Sequence, residues 1–306
     1  MKSPLLSLAL TALLFAPAAL RADLTEEQRQ VPLETDSPDP KLAKIVLLAG
    51  SVSNKPGQHE YFAGCALMMD WLKQTPGVWP VMAAEGWPKN EAIFDGAKAV
   101  VVYADGGPKL SFLEESRWAR LRGLMEKGTG FVMLHQSVDV PADHAEELKS
   151  WLGGVFLPDI GSRGHWDMEF SDFPQHPTTR GLTAFAAPLD GWLFNLHFMP
   201  GAVPLLTGLV PDKARTTEDA KAHPGRPEVI AWAYERPNGG RSFAFTGCDL
   251  HRNWRVESQR RFVTNGILWA AHAEVPATGA PVTFQPTSLT HNLDAKPAPA
   301  PAAAPH

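Results

Sequence analysis

Short apolar runs alternate with longer amphipathic stretches between residues 44 and 135. Four runs are apolar and short enough for strands buried on both faces: 44–50, 78–83, 97–103 and 130–135. The stretches 61–72 and 111–127 carry the three-to-four-residue apolar spacing of helices, and Gly128 ends the second. This alternation predicts an α/β fold built on a doubly wound, mostly parallel sheet.

The pattern is less regular after residue 150. Three segments are predicted to form short strands of an irregular insertion: 166–170, 189–196 and 204–210. Regular strands return at 228–235 and 241–246, and the Asn238-Gly239 pair between them predicts an antiparallel hairpin at the edge of the sheet. A helix over 262–273 is expected to close the domain.

The two ends of the chain differ from its body in composition. Residues 1–22 place Lys2 before an apolar run and small residues, the layout of a cleaved secretory signal. We therefore expect an exported protein, periplasmic or extracellular, that has no contact with the membrane after cleavage. A polar leader, 23–43, precedes a single domain over 44–277, and residues 278–306 are predicted to form a Pro/Ala-rich disordered tail.

Composition excludes several classes of function. The 306 residues carry 28 basic and 33 acidic side chains, a net charge of −5, and no run of Lys or Arg exceeds a pair. A nucleic-acid partner is therefore not expected. Two cysteines cannot build a disulfide framework or a Cys-rich zinc module, and whether Cys65 and Cys248 pair is left open. No glycine-rich phosphate loop is present, so no nucleotide cofactor is expected.

Polar residues follow the predicted strands at the ends where such sheets bind ligands. His59 and Glu60 come after the first strand, Asp105 after the third, and His135 after the fourth. Asp249 and His251 follow the last strand. Since the carboxyl ends of parallel strands share one edge of the sheet, these side chains are expected to converge there.

Histidine is both the usual acid–base group near neutral pH and the commonest metal ligand. His59, His135 and His251 could hold a divalent metal such as zinc, although no compact H-E-x-x-H spacing marks them as ligands. Any one of them could instead be a hydrogen-bonded loop histidine. Ser137 lacks the flanking glycines of a nucleophile elbow, so acyl transfer is not favoured.

Aromatic residues beside histidines indicate a second kind of site. Trp166 follows His165, and Trp254 lies three residues after His251. Aromatic faces next to polar groups suit sugar rings, although tryptophans also fill protein cores. A further loop histidine, His197, is assigned to the same substrate-binding set.

Several short motifs succeed one another in the body of the chain: Pro56-Gly-Gln-His-Glu60, Tyr103-Ala-Asp-Gly-Gly107, Gly164-His-Trp166 and His251-Arg-Asn-Trp254. In these motifs and their order, residues 44–277 resemble the ThuA-like (trehalose utilisation) proteins. The resemblance implies a flavodoxin-like fold of the class I glutamine amidotransferase-like type, without that enzyme's catalytic cysteine. It also implies a link to trehalose and other disaccharides through their 3-keto derivatives.

These observations lead to the hypothesis of an exported carbohydrate-processing enzyme, a hydrolase, lyase or isomerase acting on a disaccharide or 3-keto-glycoside. His135 and His59 would transfer protons or bind the metal, with Glu60 as partner, and Asp105 would orient a histidine or bind a hydroxyl. His165 and His251 would polarise the carbonyl. The sugar would lie against Trp166 and Trp254, with His197 nearby.

The alternative is a noncatalytic carbohydrate-binding or complex-assembly module on the same fold, because folds keep their architecture when chemistry is lost. An enzyme needs the histidine and acid cluster, whereas a binding module needs only the aromatic platform. Assembly into a homo-oligomer is left open.

Overall fold

The computed structural model describes residues 24–297, so the predicted secretory signal lies outside the described residues. The strands are β1 (Ala43–Ala49), β2 (Val78–Ala83), β3 (Ala99–Tyr103), β4 (Gly130–Leu134), β5 (Gly154–Val155), β6 (Ser162–Phe170), β7 (Phe185–Phe194), β8 (His197–Phe198), β9 (Val203–Leu209), β10 (Pro227–Glu235) and β11 (Arg241–Phe245). The α-helices are α1 (Tyr61–Leu72), α2 (Glu115–Glu126), α3 (Ala142–Leu152), α4 (Glu218–Lys221) and α5 (Glu257–Ala270). Within these residues no helix has the length and hydropathy that a membrane crossing requires.

Seven strands form the central sheet in the order β2-β1-β3-β4-β11-β10-β9. The pairs from β2 to β11 are all parallel, and β10 runs antiparallel to both of its neighbours. The predicted doubly wound, mostly parallel α/β sheet is therefore confirmed. The predicted hairpin is β10–β11, but it does not lie at the edge.

The edge strand is β9, which the sequence analysis placed in the irregular insertion. It pairs with β10 from Val203 to Leu209 and so extends the main sheet. Its apolar residues Leu205 and Leu206 are buried against the core, which accounts for this position. Of the three insertion segments, the other two form the separate antiparallel pair β6–β7.

The two faces of the sheet bury different side chains of the same strands. In β1, Ile45 and Leu47 point to the core shared with α1 and α5, whereas Val46 and Leu48 point to the core shared with α2 and α3. This alternation follows from the two-residue repeat of an extended chain. Helices on both faces explain why β2, β3 and β4 carry apolar residues throughout.

The structure departs from the predicted helices most clearly at α3 and α5. Helix α3 was not predicted, since Asp143, Glu146 and Glu147 mask its apolar positions in the sequence. Helix α5 begins at Glu257, five residues earlier than expected, because its first turns bury polar groups instead of apolar ones. The Arg260 guanidinium in those turns donates to the backbone oxygens of three residues that lie outside the helix: Trp254, Arg255 and Val282.

Residues 278–297, here named the C-terminal strap, pack on the domain, although the sequence analysis placed them in a disordered tail. Val282 is buried, and Phe284 and Leu289 contact the core around α1 and α5. The Gln28 amide of the leader donates to Asp294 Oδ1 at 3.1 Å. The Pro/Ala-rich composition that predicted disorder begins only near residue 297, so the apolar residues before it are free to pack.

Asp190 joins the β6–β7 pair to the turn that follows β11. Its carboxylate is fully buried and accepts hydrogen bonds from the backbone N–H groups of Gly191, Cys248 and Leu250, each at 3.0 Å. Two of these donors flank Asp249. Asp190 therefore fixes the conformation of the turn that presents the Asp249 side chain.

Replacing Asp190 with asparagine should lower the free energy of unfolding by about 1–3 kcal/mol, because the new amide turns a donor toward a buried backbone N–H. Urea unfolding measures the change. The control is Asp167→Asn, since exposed Asp167 accepts one backbone hydrogen bond from Leu189 on the same strand pair. Equal effects of the two substitutions would contradict the assigned role of Asp190.

Candidate functional site

The carboxyl ends of β1, β3, β4 and β11 bring four side chains into contact, as the strand order predicts. These are His59, Asp105, His135 and Asp249, and all four are buried. Each comes from a different connection that leaves the sheet at the same edge.

His135 occupies the position immediately after β4. Its backbone φ is +57°, a left-handed conformation that turns the chain sharply into a short 3₁₀ helix over His135–Val138. The ring nitrogen Nδ1 lies 3.0 Å from the carbonyl oxygen of Thr246. Because a carbonyl only accepts, Nδ1 carries the proton in this contact and Nε2 has a free lone pair.

His59 also has a left-handed backbone and a ring that is fixed by a hydrogen bond through Nδ1. Its φ is +49°, and its backbone N–H donates to the carbonyl of Asp249 at 3.1 Å. Its Nδ1 lies 2.8 Å from Asp105 Oδ1, so the carboxylate accepts from Nδ1 and leaves Nε2 facing His135. The two Nε2 atoms are 3.1 Å apart.

Asp105 is an anchored carboxylate and not a free base. Besides His59, it accepts hydrogen bonds from Tyr61 at 2.7 Å, Ser53 at 3.0 Å and Lys109 at 2.8 Å. Burial alone would raise the pKa of Asp105, but the hydrogen bonds from His59, Lys109 and Tyr61 outweigh burial and hold that pKa far below its usual range. The Asp105 side chain is therefore ionised and orients the His59 ring.

Asp249 completes the cluster with its two oxygens in different surroundings. Oδ2 accepts from His165 Nε2 at 2.6 Å and from the Gln58 amide at 3.0 Å. Oδ1 accepts no hydrogen bond from the described residues and lies 3.3 Å from His59 Nε2 and 3.7 Å from His135 Nε2. Gly191 leaves room for this carboxylate, since a Cβ there would come within 2.8 Å of it.

Three ligand atoms with free electron pairs thus point at one another: His59 Nε2, His135 Nε2 and Asp249 Oδ1. Around a metal ion bound at about 2.1 Å, neighbouring ligand atoms are about 3.0–3.4 Å apart. The separations of 3.1, 3.3 and 3.7 Å are close to this range. Two histidines and one carboxylate are a common ligand set for zinc and iron, so the residues present fit a divalent metal.

The outer partners of the cluster also match a metal centre. Metal-binding histidines usually donate their second N–H to a carboxylate or a backbone carbonyl, which fixes the ring. His59 donates to Asp105, and His135 donates to Thr246. The Asn54 amide also approaches the cluster, and its Nδ2 lies 3.4 Å from His59 Nε2.

A proton is the other possible occupant of this position. Burial lowers the pKa of His59, but a protonated ring would donate to the carboxylates of Asp105 and Asp249 and be attracted by their negative charges, so the net shift of the pKa is upward. Burial, together with the nearby His59, lowers the pKa of His135 to about 4. Without a metal, His59 is therefore the ring of this pair that carries the extra proton.

His165 is the exposed member of the arrangement. Its side chain is 53% exposed, and it lies beside a groove of about 610 Å³. Among the residues that line this groove are Gln58, His165, Leu189, Leu250, Leu289 and Leu293. The groove therefore borders the cluster through the partners of Asp249 and continues along an apolar wall.

Two of the predicted polar site residues lie outside the cluster: His251 is among the residues that line the groove, and Glu60 faces the strap. His251 is buried, and neither ring nitrogen has a hydrogen-bond partner among the described residues. It is not one of the three converging ligands, and Asp249 takes the place that the sequence analysis gave to His251. The Glu60 carboxylate accepts from the backbone N–H groups of Gly57 and Asp294, so it faces the strap.

The predicted sugar platform is not formed as expected. Trp254 is fully buried and packs against Trp71 and Tyr103, so it is a core residue. Trp166 is half-buried and meets the ring of Phe194 edge-on. His197 lies on β8, where it pairs with Val155 and has no contact with the cluster within the described chain.

The sequence analysis missed two supports of the site. Asp190 had a visible signal, since it is the one acidic residue within the otherwise apolar strand 185–194. Tyr61 gave none, because the first residue of an apolar helix is indistinguishable from core by its pattern. Cys65 and Cys248 are both buried free thiols, and burial raises the pKa of each.

Comparisons with known proteins agree with this architecture. A ThuA-like protein from Bacteroides uniformis is 14% identical, covers 77% of this chain and 94% of its own length, and has a TM-score of 0.54. A ThuA-like protein from Parabacteroides merdae is also 14% identical, covers 81% and 99%, and has a TM-score of 0.57. At this identity the similarity shows the fold alone. No protein with curated annotation matches the chain.

The model of one protein family matches most of the domain. It is described as ThuA, trehalose utilisation, and it matches residues 53–270. That range contains His59, Asp105, His135 and Asp249, together with β3, β4 and β11, whereas β1 precedes it. The chain is therefore a member of the ThuA (trehalose utilisation) family.

Proposed function

We propose that the protein is a metal-dependent enzyme that acts on a carbohydrate, with His59, His135 and Asp249 as the ligands of a divalent ion such as zinc. The observation that carries this proposal is the convergence of His59 Nε2, His135 Nε2 and Asp249 Oδ1 in a buried space, where Oδ1 accepts no hydrogen bond from the described residues. Such an arrangement is costly in a buried site unless a cation compensates it.

When bound, the ion would supply a positive charge that polarises an oxygen of the substrate. The other functions belong to the side chains. Asp105 and the Thr246 carbonyl fix the two rings in the tautomer whose Nε2 is free. His165 takes the proton from the substrate. The His165 Nε2–H donates to Asp249, and the exposed His165 side chain faces the groove.

The substrate class that we propose is a disaccharide or 3-keto-glycoside. The family description, trehalose utilisation, supports a sugar. A keto group acidifies the neighbouring C–H, so a histidine is a strong enough base to begin elimination or isomerisation. The groove, with Gln58 and His165 at one end and leucines along its wall, can meet hydroxyls and the apolar face of a ring.

The noncatalytic alternative needs an aromatic platform for the sugar. Trp254, one of its two predicted members, lies in the core. The polar cluster at the sheet edge is buried and held by many partners, which a simple binding face does not require. We therefore favour the enzyme, and we propose export on the pattern of residues 1–22.

His135→Ala and Asp249→Asn should each reduce metal affinity by more than the ~10–100-fold that changes in outer partners cost, because each removes a ligand. Elemental analysis after zinc loading and dialysis measures the content. The control is His272→Ala, since exposed His272 lies at the amino ends of the strands, beside Ala43 and Val78, and so at the far end of the sheet from the cluster. Metal-free wild-type protein would overturn the metal centre.

His165→Gln should lower turnover of a 3-keto-glycoside by about 10²–10⁴-fold and leave the metal content unchanged. The glutamine amide can still donate to Asp249, so the ligand keeps its orientation while the proton carrier is lost. Steady-state kinetics and elemental analysis of the same preparations separate the two effects. Unchanged turnover would remove His165 from the mechanism.

A further inference from the structure

The side chain of Lys296, in the C-terminal strap, is completely buried behind His59. Its ammonium donates to the carbonyl oxygen of His59 at 3.0 Å and to that of Gln58. It also lies 3.2 Å from Glu60 Oε1 and 3.6 Å from Asp294 Oδ2. A buried ammonium persists only when such partners satisfy it, so these contacts define one specific position for the strap.

Glu60 ties the same turn to the strap a second time. One carboxylate oxygen accepts from the Gly57 N–H at 2.8 Å, within the turn itself. The other accepts from the Asp294 N–H at 2.9 Å, within the strap. The backbone from Gly57 to Glu60 is thus fastened to the strap through its carbonyl groups and through this side chain.

The turn needs such support because of its backbone conformation. His59 has a φ of +49°, a left-handed conformation that is unfavourable for a residue other than glycine and persists only where the surroundings hold it. On its amino side, His59 is held by the hydrogen bond from its N–H to Asp249. On its carbonyl side the donor is Lys296.

Lys296 lies outside the part of the chain that the family model matches, which ends at residue 270. The strap is anchored independently of the turn, since Gln28 donates to Asn292 O at 3.0 Å and Arg260 donates to Val282 O at 3.0 Å. It can therefore act as a fixed support for His59 and not merely follow it.

We infer that Lys296 is a positioning residue that holds His59 in the orientation in which Nε2 faces His135 Nε2 and Asp249 Oδ1. This inference rests on the proposed metal centre. Without the ammonium, the carbonyls of Gln58 and His59 and the Glu60 carboxylate lose a shared donor, and the turn is free to relax from its left-handed conformation. The ligand nitrogen would then leave its position relative to the other two.

The test uses the full chain loaded with Co(II), whose visible absorption reports the geometry of the bound ion. Lys296→Met keeps the length of the side chain and removes the donor. We expect ~10–100-fold weaker Co(II) binding in a chelator competition and an altered visible spectrum. Lys296→Arg keeps charge and donors, and should restore most of the affinity and the wild-type spectrum.

The matched control is Lys44→Met, because Lys44 is also buried and pairs with Asp36 of the leader at 2.7 Å, away from the cluster. It should leave Co(II) affinity and spectrum unchanged, even if thermal unfolding shows a loss of stability. If Lys296→Met does not fold, Lys296→Gln takes its place, because a shorter neutral amide reaches at most one of the two carbonyls.

The outcomes separate this inference from the proposed function. Wild-type protein that binds no Co(II) would overturn the metal centre and the inference with it. If the wild type binds Co(II) and Lys296→Met binds it with the same affinity and the same spectrum, the inference is overturned and the metal centre is not. Weaker Co(II) binding and an altered spectrum in Lys296→Met, with neither change in Lys44→Met, would support both the metal centre and the role of Lys296.

Discussion

The structure depends on one electrostatic constraint at the carboxyl ends of its strands: the Nε2 atoms of two imidazoles and a carboxylate oxygen that accepts no hydrogen bond from the described residues share one buried space. His59 and His135 cannot turn their N–H groups inward, because Asp105 and the Thr246 carbonyl already accept them. Asp249 cannot turn away, because the N–H groups on either side of it are bound by Asp190. The fold therefore maintains a negative, electron-rich point that attracts a proton or a metal ion.

Backbone strain accompanies this constraint. His59, His135 and Cys248 all have left-handed φ angles, and each lies at or next to a residue of the cluster. Relaxed extended backbone would carry the side chains past the edge of the sheet instead of back over it. Each strained residue donates a hydrogen bond to another segment, His59 to Asp249, His135 to Thr246 and Cys248 to Asp190, so neighbouring segments support the strained backbone.

The sequence predicted the sheet and the place of the site because both follow from local patterns. Apolar runs and helical spacing located β1, β2, β4 and α1 to within a residue or two, and strand ends led to His59, Asp105 and His135. The choice of Asp249 over His251 could not be predicted, since the left-handed Cys248 breaks the alternation of side chains after β11. Trp254 was misassigned because a buried and a sugar-facing tryptophan look alike in sequence.

The strap contributes to the site from outside the range that the family model matches. The three ligand atoms belong to the matched domain, whereas Lys296 and part of the groove wall, Leu289 and Leu293, come from beyond residue 270. Changes in the strap can therefore reshape the groove while the ligands stay the same. They cannot do so freely, because the segment that carries the leucines also carries the lysine behind His59. In the proposed enzyme, the shape of the groove and the geometry of the ligands would therefore be coupled through this one segment of chain.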